Sequence, residues 1–285
     1  MEIQKDIVVF YHGPCQDGFS SAWVAWKKFG GQATYNPIQP GAIFDIPESK
    51  EVYFIDVVPK EDVMKKVVAS NKVVRVIDHH ATNESVARSI PESMFDISQA
   101  ASVLAWEYFN PGEPIPKLLQ YIQDMDLWQW KLPDSEDICA YISLQKMEFE
   151  NWDTLAKECE KEESRNQFAE KGKLLNVFET QKIDQILERN TQLVEFEGLK
   201  VLCINSSIFH SMVGNRLVQK LPPIGIIWQE SKDKISVSLR SDGTVDVATL
   251  AEKFGGGGHP RASGFRLPLG AEKPWKIIKQ NESNN

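Results

Sequence analysis

The first third of the chain alternates short apolar runs with stretches of mixed polarity. Residues 7–11, 52–55 and 73–77 are rich in β-branched and aromatic side chains, a pattern typical of strands buried on both faces. Residues 17–29 and 60–69 instead place apolar side chains at the spacing of a helix face. Strands and helices that alternate in this way predict a parallel sheet with helices on its faces.

A helix-rich region follows, and it is expected to end in one long helix. Helical patterns mark residues 99–109, residues 115–127 and a stretch that starts at Trp152. The segment from Glu160 to Arg189 is rich in Glu, Lys, Gln and Asn, with Leu, Val and Ile spaced among them. We interpret this segment as a long helix that leaves a first domain and leads into a second.

The last part of the chain has the pattern of a smaller α/β domain. Strands are expected at 192–196, 200–204, 224–229 and 235–239, and helices near 211–220 and 247–254. The predicted fold class is therefore α/β. We predict a parallel-sheet domain over residues 1–180, a helical linker over 181–192 and the smaller α/β domain over 193–285.

Composition and charge limit the partners of this protein. Of its 285 residues, 42% are hydrophobic and 25% are charged, which is normal for a globular protein, and the net charge is −8. This acidity excludes the broad basic surface of a protein that coats nucleic acid, but bound cations and a few arginines still allow a short anionic substrate. We find no apolar run that could cross a bilayer and no secretion signal, so we expect a cytoplasmic protein without a membrane partner. The four scattered cysteines fit a reducing compartment.

Residues of the kind that bind metal ions follow three of the predicted strands. These residues, with two aspartates of the helix-rich region, are His12, Asp17, Asp56, Asp78, His79, His80, Asp124 and Asp126. The carboxyl ends of parallel strands meet at one edge of a sheet, where open α/β sheets bind their ligands. Imidazole and carboxylate groups together suit Mn²⁺, Mg²⁺ or a related divalent ion. Each residue alone fits a helix cap or a structural histidine equally well, but caps do not explain the whole set.

A second candidate binding element is the glycine-rich segment near the C-terminus. Four consecutive glycines, Gly255–Gly258, precede His259, and Pro-Arg-Ala-Ser-Gly follows. Consecutive glycines let backbone amides approach and cradle an oxyanion, and His259 would add a polar donor. Arg240 ends a predicted strand and could form a forked pair with a phosphate group. A flexible turn and a surface salt bridge are the simpler interpretations of the loop and of Arg240.

Together these motifs resemble those of the DHH phosphoesterase superfamily with a C-terminal DHHA1 domain. The triplet Asp78-His79-His80 follows an apolar strand, and the sequence GGGGHPRASG lies near the C-terminus, in the order found in that family. The resemblance covers nearly the whole chain. It implies two divalent ions, usually Mn²⁺, at the carboxyl edge of the first domain's sheet, and hydrolysis by a metal-activated water. It also implies that the second domain closes over the substrate.

The resemblance also assigns roles to individual residues. It implies that the metal ligands are His12, Asp17, Asp56, His79 and Asp124, with Asp56 shared between two ions. Asp124 is preferred to Asp126 because it aligns with the fourth aspartate of the family. The catalytic pair is Asp78 and His80: Asp78 would orient the histidines, and His80 would lie beside the substrate phosphate. The residues that would hold the substrate are Arg240, Gly256, Gly257, Gly258 and His259.

Cys15 departs from the pattern of this family. The first motif usually reads Asp-x-Asp-Gly, and this chain has Cys15-Gln16-Asp17-Gly18. A thiolate at this position would serve as a metal ligand but would favour a softer metal such as Zn²⁺. Two alternatives are that one ion is held weakly by His12, Asp56 and substrate oxygens, or that Cys15 is a small buried residue beside an altered or empty site. The number and identity of the ions therefore stay open.

The expected function is hydrolysis of a small, nucleotidic phosphate ester. Within the resemblance, the candidate substrates are short single-stranded RNA or DNA, dinucleotides, 3′-phosphonucleotides and polyphosphate. We favour a phosphodiesterase similar to oligoribonucleases, because the DHHA1-type loop disfavours a pyrophosphatase and the acidic charge disfavours a processive exonuclease. The alternatives are a nucleotide-binding or regulatory protein with a degenerate metal site and, more weakly, an enzyme switched off by oxidation of Cys15. A homodimer is left open.

Overall fold

The computed structural model describes residues 5–278. The chain divides into two compact units, Met1–Val177 and Phe178–Asn285. Each unit is built on one β-sheet, and the fold class is α/β as predicted. No helix within the described range is both long and apolar enough to cross a membrane.

Strands and helices alternate at the start of the first unit, and helices alone follow. Its strands are β1 (Ile7–His12), β2 (Ala33–Ile38), β3 (Glu51–Ile55), β4 (Val73–Asp78) and β5 (Met94–Phe95). Its helices are α1 (Gln16–Phe29), α2 (Glu61–Ser70), α3 (Glu84–Ser89), α4 (Ala101–Phe109), α5 (Lys117–Asp126), α6 (Ser135–Ser143), α7 (Phe149–Cys159) and the first part of α8 (Glu162–Asn190). Short 3-10 helices follow α1 at Gly30–Gln32 and β4 at Ala81–Asn83.

The sheet of the first unit is parallel throughout, in the order β2-β1-β3-β4-β5. The runs predicted to form strands are β1, β3 and β4, which occupy the three central positions. Because these strands are neighbours and point in one direction, the residues that follow them meet at one edge of the sheet.

Alternate residues of the central strands supply two hydrophobic clusters. In β1, Val9 and Tyr11 belong to the cluster that contains Trp23 of α1, whereas Phe10 belongs to the cluster that contains Met64 of α2. Successive side chains of a strand point to opposite faces, so the two clusters lie on opposite faces of the sheet. Both faces are covered, which explains why these strands are continuous apolar runs.

The second unit contains a mixed sheet with its own core. Its strands are β6 (Gln192–Phe196), β7 (Leu199–Asn205), β8 (Ile224–Glu230), β9 (Lys234–Ser241), β10 (Gly257–His259), β11 (Ala262–Pro268) and β12 (Lys276–Ile277), and its helices are α9 (His210–Lys220) and α10 (Val247–Glu252). The order is β10-β11-β9-β8-β7-β6-β12; β7 and β8 are parallel, and the other described pairs are antiparallel. Phe196, Leu239 and Phe265 are among the buried residues of this core.

One long helix runs through the boundary between the two units in the sequence. α8 extends from Glu162 to Asn190, close to the helix predicted over residues 160–189. The boundary after Val177 falls inside this helix. The segment predicted as a linker, residues 181–192, consists of the last turns of α8, Thr191 and the first residue of β6.

Candidate metal centre

Three neighbouring strands end at histidine and aspartate residues. His12 is the last residue of β1, Asp56 follows β3, and Asp78 is the last residue of β4. The Asp56 N–H donates a hydrogen bond to the Ile77 carbonyl (3.0 Å), which ties the end of β3 to β4. Asp56 has a left-handed backbone conformation (φ 61°), which is uncommon outside glycine and clusters at functional sites. The parallel sheet therefore brings these side chains together.

Asp56 lies between several histidines and is only 2% exposed. Its Oδ2 is 3.3 Å from His12 Nδ1, and its Oδ1 is 3.3 Å from His79 Nε2. The same Oδ1 is 3.7 Å from His80 Nδ1. Burial by itself raises the pKa of this carboxyl, but the three neighbouring histidines lower the pKa below its ordinary value. Asp56 is therefore the ionised carboxylate around which the other groups are arranged.

His79 is surrounded by carboxylates. Its Nε2 is 3.7 Å from Asp17 Oδ2 and 3.6 Å from Asp126 Oδ2, in addition to Asp56. Burial lowers the pKa of His79, but the three carboxylates together raise it to about 10. Burial and the charges of Asp56 and Asp126 raise the pKa of Asp17 to about 7. Carboxylates this close repel one another unless positive charge lies among them.

Asp17 also holds the start of α4. Its Oδ2 accepts a hydrogen bond from the Ala101 N–H (2.8 Å), and its Oδ1 accepts one from the Ser102 N–H (3.0 Å). These N–H groups lie in the first turn of α4, where no partner exists inside the helix. Each carboxylate oxygen has two lone pairs, so this capping leaves Asp17 able to bind a cation.

Asp78 is fully buried and orients His80. Its Oδ1 is 2.9 Å from His80 Nδ1, and its Oδ2 accepts a hydrogen bond from Asn83 Nδ2 (2.8 Å). Burial lowers the pKa of His80, but the charge of Asp78 and the hydrogen bond with it raise the pKa to about 9. Asn83 was not among the residues predicted from the sequence, because an asparagine after a strand carries no distinctive signal.

Cys15 lies next to this cluster. One ligand atom each from His12, Cys15 and Asp56 lies within 4.8 Å of the other two. Burial, followed by the negative charges of Asp56, Asp126 and Asp17, raises the pKa of the Cys15 thiol well above its ordinary value. Without a cation the thiol is therefore protonated at neutral pH, and a bound cation would favour the thiolate.

Asp126, and not Asp124, faces the histidines. The two residues are two positions apart on α5, so their side chains do not share a face of the helix. The Asp124 carboxylate accepts hydrogen bonds from the backbone N–H groups of Lys131 (2.9 Å) and Leu132 (3.1 Å). This geometry favours Asp126 over Asp124, the residue preferred from alignment with the family, and the assignment of the ligand stays a prediction.

Asparagine variants separate the roles of these two aspartates. We expect Asp126→Asn to weaken Mn²⁺ binding by at least about tenfold, because it removes a charged ligand atom beside His79. We expect Asp124→Asn to leave Mn²⁺ affinity within about threefold but to destabilise the fold by about 1–3 kcal/mol, because the amide nitrogen cannot accept a backbone hydrogen bond. Titration calorimetry and thermal unfolding measure the two effects, and the reverse pattern would restore Asp124 as the ligand.

The donor atoms fit divalent cations. Besides the group with Cys15, ligand atoms of Asp17, His79 and Asp126 also lie within 4.8 Å of one another. Among the described residues, no donor reaches the buried Oδ1 of Asp56 at hydrogen-bonding geometry. A buried carboxylate oxygen without a donor is unfavourable unless a cation satisfies it. The imidazole–carboxylate group suits Mn²⁺ or Mg²⁺, and the group with the thiol suits a softer ion.

Arg240, in the second unit, is a half-buried cation. Its Nη2 donates a hydrogen bond to Ser211 Oγ (2.6 Å), and its Nη1 donates to the Leu239 carbonyl (2.9 Å). Burial lowers its pKa to about 10, and no acidic side chain of the described residues pairs with it. A partly desolvated cation without a counter-ion favours an anionic ligand. Ser211, in the first turn of α9, was not among the residues predicted from the sequence.

The glycine-rich segment forms a tight hairpin between β10 and β11. Gly257 pairs with Gly264, and His259 pairs with Ala262. A Cβ atom at Gly256 would lie 2.1 Å from the Gly264 carbonyl oxygen, and one at Gly258 would lie 2.6 Å from that of Ala262. Close packing within the hairpin therefore accounts for two of the glycines. The oxyanion cradle at Gly256, Gly257 and Gly258 stays a prediction.

Comparison with known proteins identifies related sequences and folds. The DHHA1 domain family matches residues 204–280. An uncharacterized protein of Acanthamoeba polyphaga mimivirus is 30% identical over 286 residues, which span 90% of this chain and 66% of that protein. Oligoribonuclease NrnB of Bacillus subtilis (strain 168) is 25% identical over 231 residues, which span 73% of this chain and 56% of NrnB. The chain thus spans less than two thirds of the length of either relative.

A solved structure has the same overall fold. It is the crystal structure of an exopolyphosphatase-related protein from Bacteroides fragilis, with 16% sequence identity and a TM-score of 0.52. The match covers 94% of this chain and 88% of that one. Fold and side-chain cluster define a two-unit α/β protein with a candidate metal centre at the edge of a parallel sheet. The match of residues 204–280 to the DHHA1 domain family supports the resemblance to the DHH phosphoesterase superfamily.

Proposed function

We propose that this protein is a phosphodiesterase that requires divalent cations and cleaves short oligonucleotides or dinucleotides into mononucleotides. The observation that carries this proposal is the buried cluster around Asp56, whose Oδ2 lies 3.3 Å from His12 Nδ1 and whose Oδ1 lies 3.3 Å from His79 Nε2. Support for the nucleotidic substrate comes from the relative NrnB, which is named an oligoribonuclease.

The first unit would supply the residues that hold the cations. We assign this role to His12, Asp17, Asp56, His79 and Asp126, with Cys15 as a further ligand for a softer ion. When bound, divalent cations would supply positive charge for the phosphate group and for activation of a water molecule. Asp78 fixes the ring of His80 through Nδ1, and we place His80 beside the phosphate.

The second unit would supply a phosphate contact. Arg240 is held by Ser211 and by the Leu239 carbonyl, so its guanidinium group is fixed before a ligand arrives. A fixed guanidinium loses little side-chain entropy when it binds, and its planar group can make two hydrogen bonds to one phosphate. We propose that Arg240 binds a phosphate of the substrate, with His259 as a second contact.

The test is hydrolysis of a 5′-labelled RNA dinucleotide by cation-stripped protein. We expect no turnover without a cation and mononucleotide release after addition of at least one of Mn²⁺, Mg²⁺ and Zn²⁺, each added separately. Highest activity with Zn²⁺ would indicate that the Cys15 thiolate is a ligand, and highest activity with Mn²⁺ would indicate that it is not.

A negative result can be interpreted with two further substrates. If polyphosphate or a 3′-phosphonucleotide is turned over and the dinucleotide is not, the protein would still be a phosphoesterase, but the assignment as a phosphodiesterase would be rejected. If no substrate is turned over with any cation, the nucleotide-binding interpretation with a degenerate metal site replaces the proposal.

A further inference from the structure

The loop that follows α5 holds two tryptophans in an unusual backbone conformation. Trp128 and Trp130 both have positive φ values (54° and 52°). A bulky residue with positive φ is a genuine outlier, and such strain persists where the surrounding structure enforces it, often at functional sites. The loop therefore places these side chains at the expense of a favourable backbone conformation.

Asp124 enforces this conformation. Its carbonyl oxygen accepts hydrogen bonds from the N–H groups of Gln129 (2.8 Å) and Trp130 (3.4 Å). Its carboxylate accepts from the next two N–H groups, those of Lys131 and Leu132. Four consecutive backbone N–H groups thus point at one residue. The buried Asp124 is in this way a positioning residue for the loop.

Trp128 is the exposed member of the pair. Trp128 is 43% exposed, whereas Trp130 is partly buried against the hydrophobic cluster that contains Trp23. The two rings meet edge to face, with centroids 5.0 Å apart and planes at 74°. The face of an indole is a large, rigid apolar surface that loses little entropy when a flat ligand stacks on it. Trp130 therefore supports Trp128 from the side of the core.

Trp128 also lies next to the candidate metal centre. It is two residues after Asp126, whose Oδ2 is 3.6 Å from His79 Nε2. Two peptide units separate their Cα atoms by no more than about 7 Å. The backbone of Trp128 therefore lies within a few residues' reach of the candidate metal centre, and its ring is exposed for a ligand to contact.

We propose that Trp128 stacks on a nucleobase of the substrate and so makes the protein select nucleotides over other phosphate esters. This inference rests on the proposed function and adds to it a residue that determines substrate specificity. Stacking does not depend on which base is present, since every base has a π-face. A protein with a net charge of −8 has little general attraction for nucleic acid, so an aromatic contact would supply affinity for the base.

The test compares binding of AMP and of ribose 5-phosphate in the presence of Mn²⁺, measured by titration calorimetry. These ligands share the sugar phosphate and differ in the base, and neither needs to be hydrolysed. We expect Trp128→Ala to weaken AMP binding by about 5- to 100-fold and to change ribose 5-phosphate binding less than about twofold. Trp128→Phe keeps an aromatic face and should retain most of the AMP affinity.

Val68→Ala is the matched control, because Val68 is equally exposed (43%) but lies on α2. It should leave both affinities unchanged. Equal losses for AMP and ribose 5-phosphate in Trp128→Ala, or no loss for AMP, would overturn the stacking role. If the proposed function is wrong, the unmodified protein should bind neither AMP nor ribose 5-phosphate. That result would also overturn the stacking role of Trp128.

Discussion

The Asp56→Asn variant is expected to lose phosphodiesterase activity by roughly a thousandfold or more, since cations at such a site contribute several kcal/mol of transition-state stabilisation. Asp56 lies between two histidines of the cluster: its Oδ2 is 3.3 Å from His12 Nδ1 and its Oδ1 is 3.3 Å from His79 Nε2. The amide keeps the shape of the side chain but loses the charge. Steady-state hydrolysis of an RNA dinucleotide with saturating Mn²⁺ measures the effect.

The same variant should also bind Mn²⁺ far more weakly, because an uncharged amide replaces the carboxylate of Asp56. Asp62→Asn is the control, an equivalent change at an exposed position in the first turn of α2, and it should leave activity and cation affinity unchanged within about twofold. Activity within tenfold of the unmodified protein, together with unchanged Mn²⁺ affinity, would reject Asp56 as the central ligand.

The Gly18→Ala variant is expected to be destabilised by about 3 kcal/mol or more. A Cβ atom at this position would lie 2.0 Å from the His12 carbonyl oxygen and 2.8 Å from the His12 carbonyl carbon. These are backbone atoms of β1, so no flexible side chain can move aside. Relief requires α1 to move away from the end of β1, which would displace His12 and the neighbouring Asp17. Denaturant unfolding measures the change in the free energy of unfolding.

Gly31→Ala is the matched control for this prediction. A Cβ atom at Gly31 meets nothing within 4 Å, and the backbone there has no positive φ. This variant should be neutral or slightly more stable, since alanine reduces the entropy of the unfolded chain. A Gly18→Ala protein as stable as Gly31→Ala would show that α1 and β1 can separate at little cost.

The central strands could be predicted because their burial on both faces leaves a local signal. Runs such as residues 52–55 are apolar at every position, and no tertiary information is needed to recognise them. The two side strands were missed for equally physical reasons. β2 is partly exposed and contains Pro37, and β5 has only two residues. Edge strands tolerate proline and polar residues, so their sequences do not differ from those of loops.

The sequence predicted which types of residue form the candidate site, but it did not predict every individual residue that lies there. Histidine and aspartate residues after parallel strands had to meet, because neighbouring parallel strands end at the same edge. Asp126 could not be chosen over Asp124 in this way, since either side chain could face the sheet if α5 were rotated. The choice depends on how α5 packs and on the loop whose N–H groups bind Asp124.

The sequence by itself determined the α/β class, the order of the central strands and the gathering of ligand-type residues at one sheet edge, because hydrophobic periodicity is a local property and neighbouring parallel strands end at the same edge. Only the tertiary structure decided which carboxylates approach His79, that Asp17 caps α4, that Arg240 lacks an acidic partner among the described residues, and that Trp128 is exposed. These features depend on contacts between residues far apart in the chain, such as Asp17 and Ala101, which are 84 positions apart. Such contacts leave no periodic trace in the sequence, since they are set by how whole helices and strands pack.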